Sequence, residues 1–437
     1  MASWLERLGL HRPELRAWVS YDWANSAFMA TMLPIFPIYF AKVAAAGLPP
    51  AEATRRFAIA TSLSIACVAL LSPVLGAIAD QKARKKALLA AFLVLGVSAT
   101  GLLATVGRGG WLPAAALFAV ANLGVTASIV FYNSLLPHVA RPGELDRVSM
   151  AGFALGYLGG GLLLALNAAW IRWPSAFGLA DLESAMRAAF ASVAVWWALF
   201  SLPVLLRVPE PRGPRGAGEG SIAAETARRL ATTFREVRKH RDAVLFLLGF
   251  IVYNDGVVTI IRMATSYGTE IGIGAGALIG AILLVQFVAI PFSFLAGAVA
   301  GRVGARATVL GCLAGYVIAA VLGYRMTTAR EFFALALLIA LVQGGVQGLS
   351  RSLFASMVPR HKSAEMFGFY GVFDKFGGFM GSALIAAVAG AAGQSRPAIL
   401  GLSAFFVVGG LLLARVDVAA GERAAREAEQ EAARSSS

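Results

Sequence analysis

The feature that most constrains this chain is a succession of long apolar runs, near residues 17–44, 56–79, 87–107, 111–137, 148–172, 187–207, 243–267, 274–300, 306–325, 331–358, 365–391 and 397–415. A helix needs about 20 mostly apolar residues to cross a hydrocarbon core of roughly 30 Å, because no water is present there to satisfy its backbone amides. Every run meets that length, which predicts an all-α integral membrane protein with twelve transmembrane helices. A membrane β-barrel would instead show segments of about 10 residues with alternating polarity. The run Ala277 to Ile290 does not alternate. Composition agrees: only 14% of residues are charged, against about 25% in soluble domains. An ordinary water-soluble enzyme is excluded.

The formal charge of +14 would suit nucleic-acid binding only if the bases shared one folded surface. They lie instead in short clusters between apolar runs, which sets membrane orientation and leaves no nucleic-acid partner. Lys82, Arg84, Lys85 and Lys86 follow span 2, Arg141 and Arg147 follow span 4, Arg302 and Arg306 follow span 8, and Arg360 and Lys362 follow span 10. The long connection after span 6 is also basic, whereas connections after odd spans are poorer in bases, with Arg55 and Arg56 as exceptions. Both termini are therefore expected in the cytoplasm. Cys67 and Cys312 sit singly in apolar runs, and His11, His138, His240 and His361 lack metal-ligand spacing. No P-loop is present, so neither a metal, a cofactor nor direct ATP coupling is expected. The N-terminal segment has no clear cleavage site, and the first span is expected to be retained.

Five regions follow: a cytoplasmic segment 1–16, a six-helix bundle 17–207, a linker 208–242, a second six-helix bundle 243–415 and a tail 416–437. Within the linker, a flexible Pro209 to Gly220 stretch precedes Ser221 to Arg241, where Leu230, Phe234 and Val237 share one helical face. That segment reads either as a helix lying on the membrane surface or as a solvated linker. The tail, rich in Ala, Glu and Arg, reads as a polar helix or a disordered end.

The two bundles are internally related. Gly76-Ala-Ile-Ala-Asp80 is echoed by Gly297-Ala-Val-Ala-Gly301, and Asn133-Ser-Leu-Leu-Pro137 by Ala355-Ser-Met-Val-Pro359, at nearly the same offset. Parallel six-helix repeats are the architecture of transporters that rock about a central site. The stretch GAIADQKARKKALL resembles the loop between helices 2 and 3 of the major facilitator superfamily. YDWANSAF (Tyr21 to Phe28), FYNSLLPHVA (Phe131 to Ala140), QGGVQGLSRS (Gln343 to Ser352) and FGFYGVFDKFGGFMG (Phe367 to Gly381) are together similar to its vacuole-effluxer branch. Fungal members of that branch export amino acids from the vacuole, so the resemblance implies the fold, transport activity and amino acids as the leading substrate class. It also implies that Asp80 latches the halves against the start of helix 11, with Arg84 beside it. Gly301 stands where a second such acid would be, and helix 4 lacks the arginine of many proton-coupled members, carrying Asn122 and Asn133 instead.

Charge at bilayer depth costs at least about 2.5 kcal/mol on insertion scales, so each ionisable residue within a span needs a reason. Asp22 and Asn25 share a face of span 1 and either bind substrate or a proton, or bridge helices near the cytoplasmic rim. Asn254 and Asp255 fall near the middle of span 7, with Arg262 seven residues on, about 10.5 Å along the axis. Such a carboxylate and guanidinium could hold a zwitterion; structural ion pairing is the alternative. Gln343, Gln347 and Arg351 form an i, i+4, i+8 stripe on span 10. The amides suit a polar ligand or interhelical bonds, and Arg351, towards the cytoplasmic end, suits a gate. Asp374 and Lys375 point about 100° apart, which argues for separate partners, Lys375 pairing with a carboxylate or binding an anion.

The expected function is secondary transport of a small polar solute, amino acids first, by alternating access, with export as the direction and Asp22, Asp255 or Asp374 as candidate proton carriers. Sugar or organic-ion transport, and a non-transporting receptor or scaffold, are the alternatives. The chain is expected to be a monomer in a bacterial plasma membrane. A fluorescent protein fused to the C-terminus should fluoresce, and alkaline phosphatase fused there should stay inactive; the opposite pair of results would invert the topology.

Overall fold

A computed structural model describes residues 4–211, 241–377, 379–392 and 396–434. Twelve helices among them are long and apolar enough to cross a membrane. The N-terminal bundle follows a short α1 (Trp4–Arg7) and comprises α2 (Pro13–Tyr39), α3 (Pro50–Lys82), α4 (Lys85–Leu103), α5 (Trp111–Val139), α6 (Leu145–Arg172) and α7 (Leu182–Arg207). The C-terminal bundle comprises α8 (Arg241–Glu270), α9 (Ala275–Val303), α10 (Ala305–Arg325), α11 (Ala329–Ser356), the pair α12 (Ser363–Phe376) and α13 (Phe379–Ala392), and the pair α14 (Arg396–Gly401) and α15 (Ser403–Ala414). A final helix, α16 (Val418–Arg434), follows. The proposed surface helix of the linker falls almost wholly outside the described residues.

Local chemistry sets the boundaries. Pro13 opens α2, where a missing amide costs nothing and the ring pre-sets φ. Asp181 caps α7, its Oδ1 accepting from the Ser184 amide at 2.7 Å, and Thr328 with Glu331 forms a capping box at the start of α11. Span 11, expected as one continuous helix, is broken. α12 stops at Phe376, Gly377 turns out of the helical region with ψ 135°, and α13 starts at Phe379.

Within the N-terminal bundle α2 packs on α6 and α7, and α4 on α5; within the C-terminal bundle α8 packs on α15, and α11 on α9 and α10. The bundles meet mainly through α3 against α12 and α6 against α9. Trp18, Phe28, Phe36 and Trp197 are among the fully buried side chains, with Phe36 and Phe118 stacked at 4.1 Å. Leu70 and Leu206 are 75% and 77% exposed, as suits a lipid-facing surface. Both described ends of the chain lie at the face that carries the basic loops, called here the basic end. α16 docks there, burying Gly421 and Ala425 while the Glu429 carboxylate accepts from the Arg360 amide at 2.8 Å. The tail is thus a packed helix.

The segment before α2 is pinned by Glu144, whose carboxylate accepts from Arg12 Nη2 at 2.5 Å and from the Arg141 amide at 2.9 Å. Partial burial raises its pKa, but the Arg141 amide and the Arg12 guanidinium outweigh that and hold it below the usual carboxylate value. A lowered folded-state pKa means that this anchor is complete above the unfolded value of about 4.3 and is lost as pH falls through the folded one. Protection of residues 4–12 from protease should therefore be flat from neutral pH to about 5 and fall below about 4. Glu144→Gln should flatten that profile.

Candidate functional site

Arg351 lies near the basic end of α11 and is only 3% exposed. A guanidinium has five N–H donors and cannot be deprotonated in a protein, so burial requires a full set of acceptors. The N-terminal bundle supplies them. Nη1 donates to Asp22 Oδ1 at 3.2 Å and to Asn133 Oδ1 at 3.4 Å; Nη2 donates to Asp22 Oδ2 at 2.9 Å and to the Ser149 carbonyl at 2.8 Å; Nε donates to Ser149 Oγ at 2.9 Å. The rings of Phe153, Trp18 and Tyr132 stand 4.5, 4.9 and 5.6 Å from the guanidinium carbon, close enough for cation–π attraction.

The surroundings hold these groups in place. The Tyr132 hydroxyl donates to Asp22 Oδ2 at 2.8 Å, Trp18 stacks on Tyr132 at 4.4 Å, and Trp18 Nε1 donates to the Tyr132 carbonyl at 3.0 Å. Trp18 and Asp22 are four apart on α2, hence on one face. A Cβ at Gly152 would lie 2.1 Å from Asp22 Oδ2 and 2.8 Å from Arg351 Nη2. Hydrogen is the only side chain that leaves room for the pair.

A second tie sits nearer the basic end. Asp80 accepts the amides of Ala364 and Glu365 at 3.2 and 2.9 Å, placing a carboxylate on the N-terminus of α12, where free amides and the helix dipole favour it. Lys85 Nζ pairs with Asp80 Oδ1 at 2.9 Å and donates to Ser363 Oγ at 2.6 Å; His138 Nε2 lies 2.8 Å from it. Contact is so close that a Cβ at Gly76 would lie 2.3 Å from the Ala364 carbonyl. Arg84, expected at this latch, does not take part. Ala83 adopts a left-handed φ of 49°, and the reversal leaves Arg84 exposed while Lys85, the first residue of α4, turns inward. The Ser352 hydroxyl adds a bond to Asp146 Oδ1 at 2.6 Å.

Other polar residues divide between structure and cavity. The Tyr157 hydroxyl donates to Gln347 Oε1 at 3.2 Å across the bundles. Gln343, one turn away, lines a largely apolar cavity of about 170 Å³ together with Ile260, Met263, Tyr267 and Gln286. Asn254 donates to Asp374 Oδ1 at 3.3 Å. Asn122 ties α5 to Ser64 of α3 at 3.1 Å, and Asn25 bonds back to the Tyr21 carbonyl at 2.8 Å.

Two expectations are corrected. Asp255 does not face Arg262 across a zwitterion site: its carboxylate accepts the amides of Met380 and Gly381 at 2.9 and 2.6 Å, capping α13 beyond the break, while Arg262 is exposed. Asp374 and Lys375, expected to part company, approach at 3.6 Å, since a flexible four-carbon stem is long enough to bridge adjacent helical positions. Their side chains are 39% and 24% exposed. Trp18, Tyr132, Ser149, Lys85 and His138 escaped the reading of the sequence. The quoted motifs hold Lys85, Tyr132 and His138, and Trp18 stands i, i+4 from Asp22, but none of these was singled out as a site residue.

Two parallel six-helix bundles with polar ties clustered towards one end define an MFS-type transporter. Among solved structures, the chain is similar to the MFS transporter FucP in the outward conformation, with TM-score 0.68 and 13% identity over 93% of this chain and 99% of that one. It is also similar to a bacterial homologue of the iron transporter ferroportin in an outward-facing state, with TM-score 0.65 and 12% identity over 92% and 99%. These likenesses concern the fold. The family model described as vacuole effluxer Atg22 like matches residues 51–145 and 142–426, and the chain belongs to that family. It is 36% identical over 403 residues to the uncharacterized MFS-type transporter YxiO of Bacillus subtilis (strain 168), covering 92% of this chain and 94% of the relative. Autophagy-related protein 22-1 of Aspergillus niger is 25% identical over 300 residues, 63% of this chain and 48% of that protein, so the match spans about half of the fungal chain. The protein is a multi-pass protein of a bacterial plasma membrane.

Removing one partner of a buried ion pair costs about 3–5 kcal/mol, because the other charge is left uncompensated. Asp22→Asn, Arg351→Met and Gly152→Ala should each loosen the basic end, raising thiol labelling of a cysteine placed at Ser134 by about tenfold or more. The first two should be strongly non-additive in a double-mutant cycle.

Proposed function

We propose that this MFS-type transporter exports a small polar solute, with amino acids the leading class, by alternating access. The observation that carries this reading is the Asp22–Arg351 pair, whose partners lie 329 residues apart on opposite bundles. A solute entering from the basic end must part them. The state seen here is closed at the basic end, and the positive-inside pattern supports a cytoplasmic position for that end.

The fungal relatives and the presence of both charge signs near mid-span support an amino acid. Asp374 and Lys375 are partly exposed on α12, and in a membrane helix such exposure suits a watery interior. The apolar cavity beside Gln343 offers space for a side chain. Asp374, partly exposed, is the carboxylate left as a proton carrier, since Asp255 is engaged as a cap and Asp22 by Arg351 and Tyr132. The protein acts as a monomer.

Purified protein in liposomes should accumulate or release at least one amino acid from a panel, and Asp374→Asn should cut that rate by about tenfold or more. An imposed proton gradient should change the rate. Equal rates with and without the gradient remove proton coupling, and transport of a sugar with no amino acid moved displaces the substrate class.

A further inference from the structure

All of the acceptors around Arg351 belong to one bundle. Asp22 and Trp18 come from α2, Tyr132 and Asn133 from α5, and Ser149 and Phe153 from α6. The C-terminal bundle contributes the cation and nothing else to this list. Such a set is a receptor in its own right: a carboxylate presented edge-on to a planar fork, a carbonyl and an amide oxygen in reach of the remaining donors, and three ring faces that attract positive charge. When the bundles part at the basic end, Arg351 leaves with α11 and the receptor opens to the aqueous side.

Resting on the alternating-access reading above, we propose that this pocket of the N-terminal bundle is a binding site for the guanidinium or ammonium group of a small organic cation or of the solute itself, and that Arg351 is its built-in competitor. One pocket cannot hold both. A ligand cation therefore binds only the form open at the basic end, and closure replaces it with Arg351 and drives it off the receptor towards the interior. Binding and closure oppose each other by mass action, with no contact between ligand and Arg351 needed.

A proton on Asp22 would cancel the charge but leave the Ser149 carbonyl, the Asn133 oxygen and three ring faces without a partner. An inorganic ion holds its hydration shell more tightly and gains less from the rings. A guanidinium, or an ammonium that keeps N–H donors, uses the carboxylate, both oxygens and the ring faces, which is why this class is chosen.

The test measures the distance between spin labels at Arg141→Cys and Arg302→Cys, exposed positions on opposite bundles at the basic end, in a background carrying Cys67→Ala and Cys312→Ala. Agmatine and methylammonium should enlarge the long-distance population of the otherwise unaltered protein, and acetate should not. By calorimetry, Arg351→Met should bind agmatine about tenfold or more tightly than the parent, because the competitor is gone, and adding Asp22→Asn should abolish that gain. The label pair keeps the native receptor, so a misfolded Arg351→Met leaves the first measurement decisive. If neither cation shifts the distance while Arg351→Met by itself opens the basic end, the receptor is overturned and alternating access stands. If the basic end stays shut in both Arg351→Met and Asp22→Asn, alternating access is overturned and the receptor with it.

Discussion

A permanently charged guanidinium in a low-dielectric interior must have every donor matched, and in this protein the matching is done across the boundary between two bundles. That requirement reaches far into the fold. It brings Trp18, Asp22, Tyr132 and Ser149 to one point from three helices, it forbids a side chain at position 152, and it gives α11 a fixed register against α6 through Ser149 Oγ, which also donates to the Gly348 carbonyl at 2.7 Å. A buried ion pair of this kind is weak evidence for stability, since well-packed apolar residues do as well or better. On the alternating-access reading, its value lies in specifying one of two arrangements of the bundles.

The second tie works on a different principle. Asp80 does not meet an opposite charge from the other bundle; it meets the free amides at the start of α12, with Lys85 of its own bundle balancing the carboxylate. The Arg351 site is therefore specific to a side chain, whereas the Asp80 site is specific to a backbone terminus. One is replaceable by a soluble cation and the other is not, so the two ties answer to different chemical signals although they close the same end.

Much of this architecture was legible from residues alone, for a physical reason: a backbone in hydrocarbon must satisfy itself, so spans declare themselves by length and apolarity. The costly charges declared themselves too: Asp22 and Arg351 stood out as ionisable residues within spans, and Asp80 through the resemblance of its loop. Their pairing did not, because Asp22 and Arg351 are joined only by the tertiary arrangement of two repeats. Asp255 was misleading for a related reason. Spacing along α8 placed Arg262 on its face, but the broken span 11 offered two closer donors, and a gap in a neighbouring helix leaves little trace in the helix that fills it. Lys85 was passed over in favour of Arg84 because one left-handed residue, Ala83, decides which of two adjacent bases turns inward.

The break at Gly377 divides the eleventh span between two owners. Its first half, α12, is gripped by Asp80 of the N-terminal bundle, while its second half, α13, is capped by Asp255 on α8 of the C-terminal bundle. A continuous rod held in this way at both ends would resist any rotation of one bundle against the other. With a joint in the middle the span behaves as two links of a chain, so strain from the moving interface can be taken up at a glycine and need not be transmitted along the helix to the far side of the membrane.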